Sequence, residues 1–343
     1  MRLDICFASD SNYFIYMATA MLSILKSAAP KDAIFFHILC NSISQASKTS
    51  LLELIKIRPS QIYFYDISIE EFKDFPAGGP HISNTAYYRY KMPEIFNNID
   101  KVLYLDCDVI VKKSLTPIFE KDISSYYLSA VEDVGIALQH RLRPKQHQPF
   151  WCKYNSGVIL INLKKWREDR IFQELMRYTT EHDVTMGDQE VINAVCKDAI
   201  LPLPYEYNVQ DSFFRWDTDV RTDPNAQTIK NASLDPAVIH YTYTLKPWNA
   251  FSVERFDDWA NVYLELTKHN QEDTLRRRII AFRHHQMIFP SQRIKKAVGK
   301  LVRLTRFPRW TIGKYIFPSK RSDYENRLRV YCGVANSPIN KIT

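Results

Sequence analysis

The chain has 343 residues, 45% apolar and 24% charged, which leaves room for one large domain or two ordinary ones around a sizeable core and excludes a disordered or fibrous chain. The net charge of +8 is unevenly placed: residues 274–322 hold 14 Lys and Arg and no Asp or Glu, leaving 32 basic against 38 acidic residues elsewhere. That asymmetry predicts a composition boundary near residue 270, with a tail that meets something anionic, and no run approaches the roughly 20 apolar residues a membrane span needs.

In chain order, residues 3–8, 34–40 and 62–67 read as strands, while 13–28 and 42–57 carry helix-like apolar spacing. Such a βαβαβ opening predicts a parallel sheet with right-handed crossovers, and ligands then bind beyond the carboxyl ends of the strands. Ala8-Ser9-Asp10-Ser11-Asn12-Tyr13 occupies one such end. A small residue, polar side chains and a ring suit a nucleoside there, Asp10 and Asn12 by hydrogen bonds and Tyr13 by stacking. The same stretch also reads as an ordinary helix start capped by Ser11 or Asn12. Residues 81–90 look like a capped helix that carries Arg89, placed either to reach a diphosphate or a sugar or to lie on the helix surface.

Residues 101–111 form an apolar β-type run with two acids in its middle, Asp106 and Asp108. Residues 102–105 and 109–111 read as strand pieces, so the acids sit where the strand leaves the sheet. Alternate residues of an extended chain point the same way, and two converging carboxylates repel unless a cation lies between them. Oxygen ligands favour Mg²⁺ or Mn²⁺, which keep positions for water or a substrate phosphate. The other reading is an exposed loop with two solvated acids.

Further on, Lys153-Tyr154-Asn155-Ser156-Gly157 reads as a polar turn entering an apolar strand over 158–161. Met186-Gly187-Asp188-Gln189-Glu190 opens a helix, where Asp188 suits the positive helix end. His240 ends a strand over 237–239 shortly before Lys246, which makes it either a structural histidine or a third metal ligand. Cys6, Cys40, Cys107, Cys152, Cys196 and Cys332 show neither a CxxC pair nor zinc spacing, so reduced thiols of a cytosolic protein are expected. The first longer apolar run, residues 17–25, lacks a signal-peptide layout. In the tail, Ile294, Ala297, Val298, Leu301 and Val302 recur at helical spacing between Lys295, Lys296, Lys300 and Arg303. That pattern predicts an amphipathic helix lying in a headgroup layer, or a solvated extension packed on the body.

Phe7-Ala8-Ser9-Asp10-Ser11-Asn12-Tyr13, His81-Ile82-Ser83, residues 101–108, Ser114-Leu115-Thr116-Pro117, residues 154–167, Asp188-Gln189 and residues 240–248 together resemble the family 8 glycosyltransferases. The likeness runs from residue 3 to about 260 and is nearest to bacterial lipooligosaccharide galactosyltransferases and lipopolysaccharide glucosyl- or galactosyltransferases. It implies an α/β fold of the GT-A nucleotide-sugar-binding type, with a mainly parallel central sheet, over residues 1–270. A basic, aromatic-rich helical extension over 271–343 would follow. It implies a retaining transferase, a UDP-galactose or UDP-glucose donor, and Mn²⁺ (Mg²⁺ as the alternative) held by Asp106, Asp108 and His240. Ala8, Asp10, Asn12 and Tyr13 would bind the uridine, Asp106 and Cys107 the nucleotide beside it, and Lys246 the diphosphate. Arg89, Asn155, Ser156, Asp188 and Gln189 would surround the donor sugar, with Gln189 and Asp188 at the reacting centre.

The family often has a small glycine-containing turn between the residues matching His240 and Lys246, whereas this chain reads Tyr241-Thr242-Tyr243-Thr244-Leu245. The expected partners are a lipid-linked saccharide acceptor and an anionic membrane surface, with no nucleic acid. The expected location is cytoplasmic, peripheral on the inner face of a bacterial inner membrane. Two rival readings exist. Residues 103–109 also fit a haloacid-dehalogenase-type phosphatase with Asp106 as nucleophile, although that motif normally ends the first strand of its domain. A nucleic-acid-binding protein using the basic tail is the other, against which stands the acidic body.

Overall fold

The computed structural model describes residues 1–76, 84–142, 152–214, 223–242, 245–251 and 253–288. The chain divides into two units, Met1–Leu266 and Thr267–Thr343. In the first lie strands β1 (Arg2–Ser9), β2 (Ala33–Cys40), β3 (Ser60–Asp66), β4 (Lys101–Leu105), β5 (Val109–Val111), β6 (Leu128–Glu132), β7 (Tyr154–Asn162), β8 (Ile200–Pro202), β9 (Val209–Gln210) and β10 (Val238–His240).

Seven strands form one sheet in the order β3-β2-β1-β4-β7-β6-β8, and β5-β10-β9 form a second. In the large sheet β2 and β3, β1 and β2, β1 and β4, and β6 and β8 run parallel. Only β7 is reversed, antiparallel to both β4 and β6. The sheet is thus mainly parallel, and the fold is α/β, as the opening strands and helices predict.

The helices α1 (Phe14–Ser27) and α2 (Gln45–Leu54) make the first two crossovers. Alternation along the strands sends Ile5, Phe7, Leu103 and Leu105 into one core and Cys6, Ala8, Val102 and Tyr104 into the other. Both sheet faces are covered, which is why β1 and β4 read as unbroken apolar runs. Each such side chain contributes roughly 1.5–3 kcal/mol by leaving water, and Leu103→Ala, with its cavity, would cost about 2–5 kcal/mol. α1 is buried almost all round over residues 17–25, because it packs both on β5 and against the helix Phe256–Leu266. Its Ser23 is tolerated there because its hydroxyl accepts the Val111 N–H.

Local differences from the sequence reading are informative. Ser44 caps α2 by accepting from Ser47 N–H, so that helix starts later than residue 42, and a 3₁₀ turn Ile55–Ile57 closes it. Asn84–Lys91 is a 3₁₀ helix rather than the α-helix its spacing suggests. Tyr154, Asn155, Ser156 and Gly157 are strand residues, fully buried in β7, and not a turn. Their polarity is accommodated by bonds to neighbours on both sides.

In the second unit, Thr274–Ile288 is helical. The amphipathic pattern over 294–303 lies outside the described residues. Among the described residues no helix is long and apolar enough to cross a membrane, and Cys6, Cys40, Cys107, Cys152 and Cys196 are free and buried.

Candidate active site

Asp106, Cys107 and Asp108 are the residues between β4 and β5, so the two acids stand where the chain passes from the large sheet to the small one. Backbone bonds hold the junction: Asp106 N–H donates to Gly157 O at 2.8 Å and Tyr241 N–H donates to Asp108 O at 3.0 Å. Antiparallel pairing of β10 with β5 sets His240 opposite Val109. Its Nε2 then lies 3.3 Å from Asp108 Oδ1 and 3.7 Å from Asp106 Oδ2, and one ligand atom from each of the three residues falls within 4.8 Å of the others.

Asp108 and His240 are 8% and 4% exposed, yet Asp108 Oδ1 is buried with no hydrogen-bond donor aligned on it. It faces His240 Nε2 at 3.3 Å, an ion pair that a shared cation would complete. Adjacent ligands about 2.1 Å from an octahedral divalent ion stand about 3 Å apart, so the 3.3 and 3.7 Å separations of Nε2 from the two carboxylates suit a small cation. The strand β7 approaches closely here. A Cβ on Gly157 would collide with His240 Cε1 and come within 2.7 Å of Asp106 Oδ2, so this strand position requires glycine.

The electrostatics match the packing. Burial pushes the Asp108 carboxyl up, but the Lys246 and His240 charges outweigh it and hold the group well below the usual carboxylate range. Lys246 Nζ donates to Asp108 Oδ2 and to Tyr241 O, each at 2.5 Å. For His240, burial favours the neutral ring, yet the Asp108 carboxylate wins and raises its pKa above the ordinary value. A cation at this point replaces that proton on Nε2.

Beside the acids lies a polar cradle. Arg89 is 1% exposed, not a helix-surface arginine. Its nitrogens donate to Ala86 O (2.9 Å), Ser156 O (2.7 Å) and Asp106 Oδ1 (3.0 Å), and its Nε stands 3.2 Å from Asp188 Oδ2. Its guanidinium also lies 3.8 Å over the Tyr104 ring, a favourable arrangement for a desolvated cation. Asp188 begins the helix Asp188–Cys196, entered through Gly187 at φ 63°, a backbone conformation that suits glycine. Burial raises the Asp188 carboxyl to about 6, opposed by Arg89 and helped by Asp106. Gln189 Oε1 accepts from Ser156 N–H (3.1 Å) and Asn155 Nδ2 (3.2 Å), while its Nε2 donates to Asp133 Oδ2 (3.1 Å).

The loop after β1 closes the other flank. Cys107 Sγ contacts Ala8 O at 3.3 Å, tying that loop to the acids, and burial pushes the thiol pKa well up. Asp10 Oδ1 accepts from Asn12 N–H and Tyr13 N–H, so Asp10, rather than Ser11 or Asn12, organises the start of α1. Asn12 itself is exposed. Tyr13 stands edge-on to Trp248, which stacks on Tyr16 at 3.7 Å, anchoring the segment that carries Lys246. His81, Ile82, Ser83 and Tyr243 lie outside the described residues.

Four residues escaped the sequence reading. Asp133 follows the apolar strand β6 as Asp106 follows β4, a signal that was present. Asn208 and Asp211 flank the two-residue β9, too short to show a period. Burial raises the Asp211 carboxyl to about 6, with Lys246 and His240 opposing. Gly157 looked like a turn residue.

Residues 4–252 match the sequence profile described as glycosyl transferase family 8. A protein of Haemophilus influenzae with a provisional glycosyltransferase name is 30% identical over 251 residues, covering 72% of this chain and 73% of that one. Glycosyltransferase GlyF of Streptococcus pneumoniae serotype 4 is 31% identical over 271 residues, 78% of this chain and 62% of that one. Among solved structures, galactosyltransferase LgtC in complex with donor and acceptor sugar analogs superposes with a TM-score of 0.66 at 31% identity, over 77% of this chain and 96% of that one. These likenesses favour neither the phosphatase nor the nucleic-acid reading.

Proposed function

The chain belongs to glycosyltransferase family 8, and from that premise we propose that it moves galactose or glucose from a UDP-sugar to a lipopolysaccharide- or lipooligosaccharide-type saccharide, with retention at the anomeric carbon. The observation that carries this reading is the junction of Asp106, Asp108 and His240, with ligand atoms within 4.8 Å of one another, beside the cradle of Arg89, Asn155, Asp188 and Gln189. The related galactosyltransferase LgtC was crystallised with donor and acceptor sugar analogs, which supports a sugar donor and a sugar acceptor for this chain too.

The oxygen-rich donor set suits Mn²⁺ or Mg²⁺ on Asp106, Asp108 and His240, and such an ion supplies Lewis-acid stabilisation of charge on the departing diphosphate. Lys246 adds a second positive charge on the same side. Ala8, Asp10, Asn12, Tyr13 and Cys107 hold the nucleoside. Arg89, with its nitrogens already engaged, acts on the sugar side by fixing Asp106 and Asp188. As the anomeric C–O bond breaks, the sugar gains oxocarbenium character. Gln189, its amide held by Asp133 and Ser156, and the Asp188 carboxylate stabilise that cation without bonding to it. The acceptor then attacks from the face the phosphate leaves, and its proton passes to that phosphate.

A panel of UDP-sugars, each with Mn²⁺ and with excess chelator and read by mass spectrometry for hydrolysis and transfer, tests this. Full activity in chelator, or phosphate release from simple phosphomonoesters without nucleotide-sugar turnover, would sink it.

The basic segment gives the reading its location. The 14 Lys and Arg over residues 274–322 suit an anionic cytoplasmic leaflet, at about 1 kcal/mol for each basic residue near the surface. A lipid-linked acceptor would then be met at that surface. Co-sedimentation of the full chain and of residues 1–272 with phosphatidylglycerol vesicles across a salt series is the check. Equal binding of the two, or no weakening with salt, excludes the tail as an electrostatic anchor.

A further inference from the structure

We infer that Asn208 is a positioning residue which fixes the ring tautomer of His240 and couples the cation site to the sugar cradle. The inference rests on reading Asp106, Asp108 and His240 as cation ligands. Asn208 is fully buried, at 0% exposed, one residue before β9.

The direction of every amide in this part of the site follows from a single backbone group. Gly157 N–H donates to Asn155 Oδ1 at 3.0 Å, and a backbone N–H can only donate. Asn155 therefore shows its oxygen on that side and its NH₂ on the other, toward Asp133 Oδ2 (3.1 Å) and Gln189 Oε1 (3.2 Å). The same Asn155 oxygen is approached at 2.9 Å by the Asn208 amide, so Asn208 must present its NH₂ there. Its oxygen is left facing His240 Nδ1 at 3.0 Å. A carbonyl oxygen accepts only, so Nδ1 carries the ring proton in neutral His240. Nε2, which points at Asp106 and Asp108, is the nitrogen left with a lone pair for a cation.

A ligating histidine whose second nitrogen donates to a fixed acceptor is oriented and made more basic, and loss of such a partner typically costs ten- to hundredfold in metal affinity. One amide here does more than that. Its oxygen sets the ligand, and its NH₂ holds Asn155, which in turn orients Gln189.

The two ends of the amide separate by substitution. Asn208→Leu removes both. Asn208→Asp keeps an acceptor for Nδ1–H but cannot donate to Asn155 Oδ1. Mn²⁺ binding to the full chain in the presence of UDP is read from the free-ion paramagnetic resonance signal, and turnover is read separately with whichever UDP-sugar the unsubstituted protein uses. The dissociation constant for Mn²⁺ rises about ten- to hundredfold in N208L. In N208D it stays near the original value while turnover falls at least about tenfold, the size of one lost positioning contact. A merely structural asparagine would lower the melting temperature of both variants without that split. Native Mn²⁺ affinity in N208L, or native turnover in N208D, overturns the inference. Should N208L fail to fold, N208D decides, since loss of Mn²⁺ binding there also overturns it. An unsubstituted protein that binds no Mn²⁺ sinks the cation reading itself, a different outcome from failure at Asn208 alone.

Discussion

Two histidine–aspartate groups lie buried in the first unit, and they differ in one respect that separates scaffold from site. Toward the amino end of β1, Asp4 accepts from Arg2 at 2.7 and 2.8 Å and lies 3.0 Å from His37 Nε2, while His37 Nδ1 meets the Tyr65 hydroxyl at 3.0 Å. Both oxygens of Asp4 and both ring nitrogens of His37 thus have partners. At the carboxyl end of β4, Asp108 Oδ1 has no donor aligned on it, although Asp108 is as deeply buried as Asp4. Burial of charge alone therefore does not mark a functional centre. Two acids converging on one histidine nitrogen do, because a cation can take the place of the ring proton they share.

The contrast breaks most visibly at Asp108. Asp108→Ala removes a proposed cation ligand, so metal-dependent transfer should fall by at least about a thousandfold while circular dichroism stays native. Lys246 and His240 lose the carboxylate they pair with, so the melting temperature should fall as well. Near-normal activity in this variant would place the cation elsewhere.

Asp4→Ala is the opposite case. It leaves the buried His37 without its acceptor, at a cost of about 1–3 kcal/mol, while the exposed Arg2 is solvated by water and adds little. Denaturant titration should show that loss, with the Mn²⁺ affinity of the folded protein unchanged. Altered metal affinity would mean that the two groups are coupled and the distinction fails.

Gln189→Ala sharpens the comparison within the site itself. Turnover should drop about a hundredfold, or about 2.7 kcal/mol of transition-state stabilisation, while UDP affinity holds, since UDP lacks the sugar. A large loss of UDP binding with unchanged turnover would move Gln189 to the nucleotide side.

The smallest effect concerns pH. The Asp188 carboxyl sits at about 6 in the folded chain against about 3.9 when unfolded. The folded state thus binds more protons between about pH 4 and 6, and this group's contribution to stability falls as pH rises through that window and is lowest above it. Asp188→Asn is neutral throughout, so the melting temperature of the variant relative to the original should climb by a few degrees between about pH 4 and 7. A difference that does not change with pH would show that Asp188 is not a carboxyl held up by burial.

Much of this was legible in the chain. The unbroken apolar runs of β1 and β4 announce strands covered on both faces, and two acids in the middle of such a run announce their own chemistry, because nothing but an exit from the sheet and a counter-charge makes them tolerable. Residues 154–157 read as a turn because Asn155 and Ser156 carry the composition of one. They continue β7 because Tyr154 pairs with Glu132 of β6 and Gly157 O accepts the Asp106 N–H, and strand preference depends on neighbours more than on residue type.

The sequence by itself determined the α/β alternation, the carboxyl-end location of the acids and their pairing in one short extended stretch, since period and local polarity are properties of consecutive residues. Tertiary structure alone decided that His240, 132 positions beyond Asp108, meets it across β5 and β10. It also decided that Asn208 fixes the histidine's tautomer and that Gly157 leaves the room for both. Those contacts join strands of two and three residues, too short to have a pattern of their own, and only sheet register brings them together.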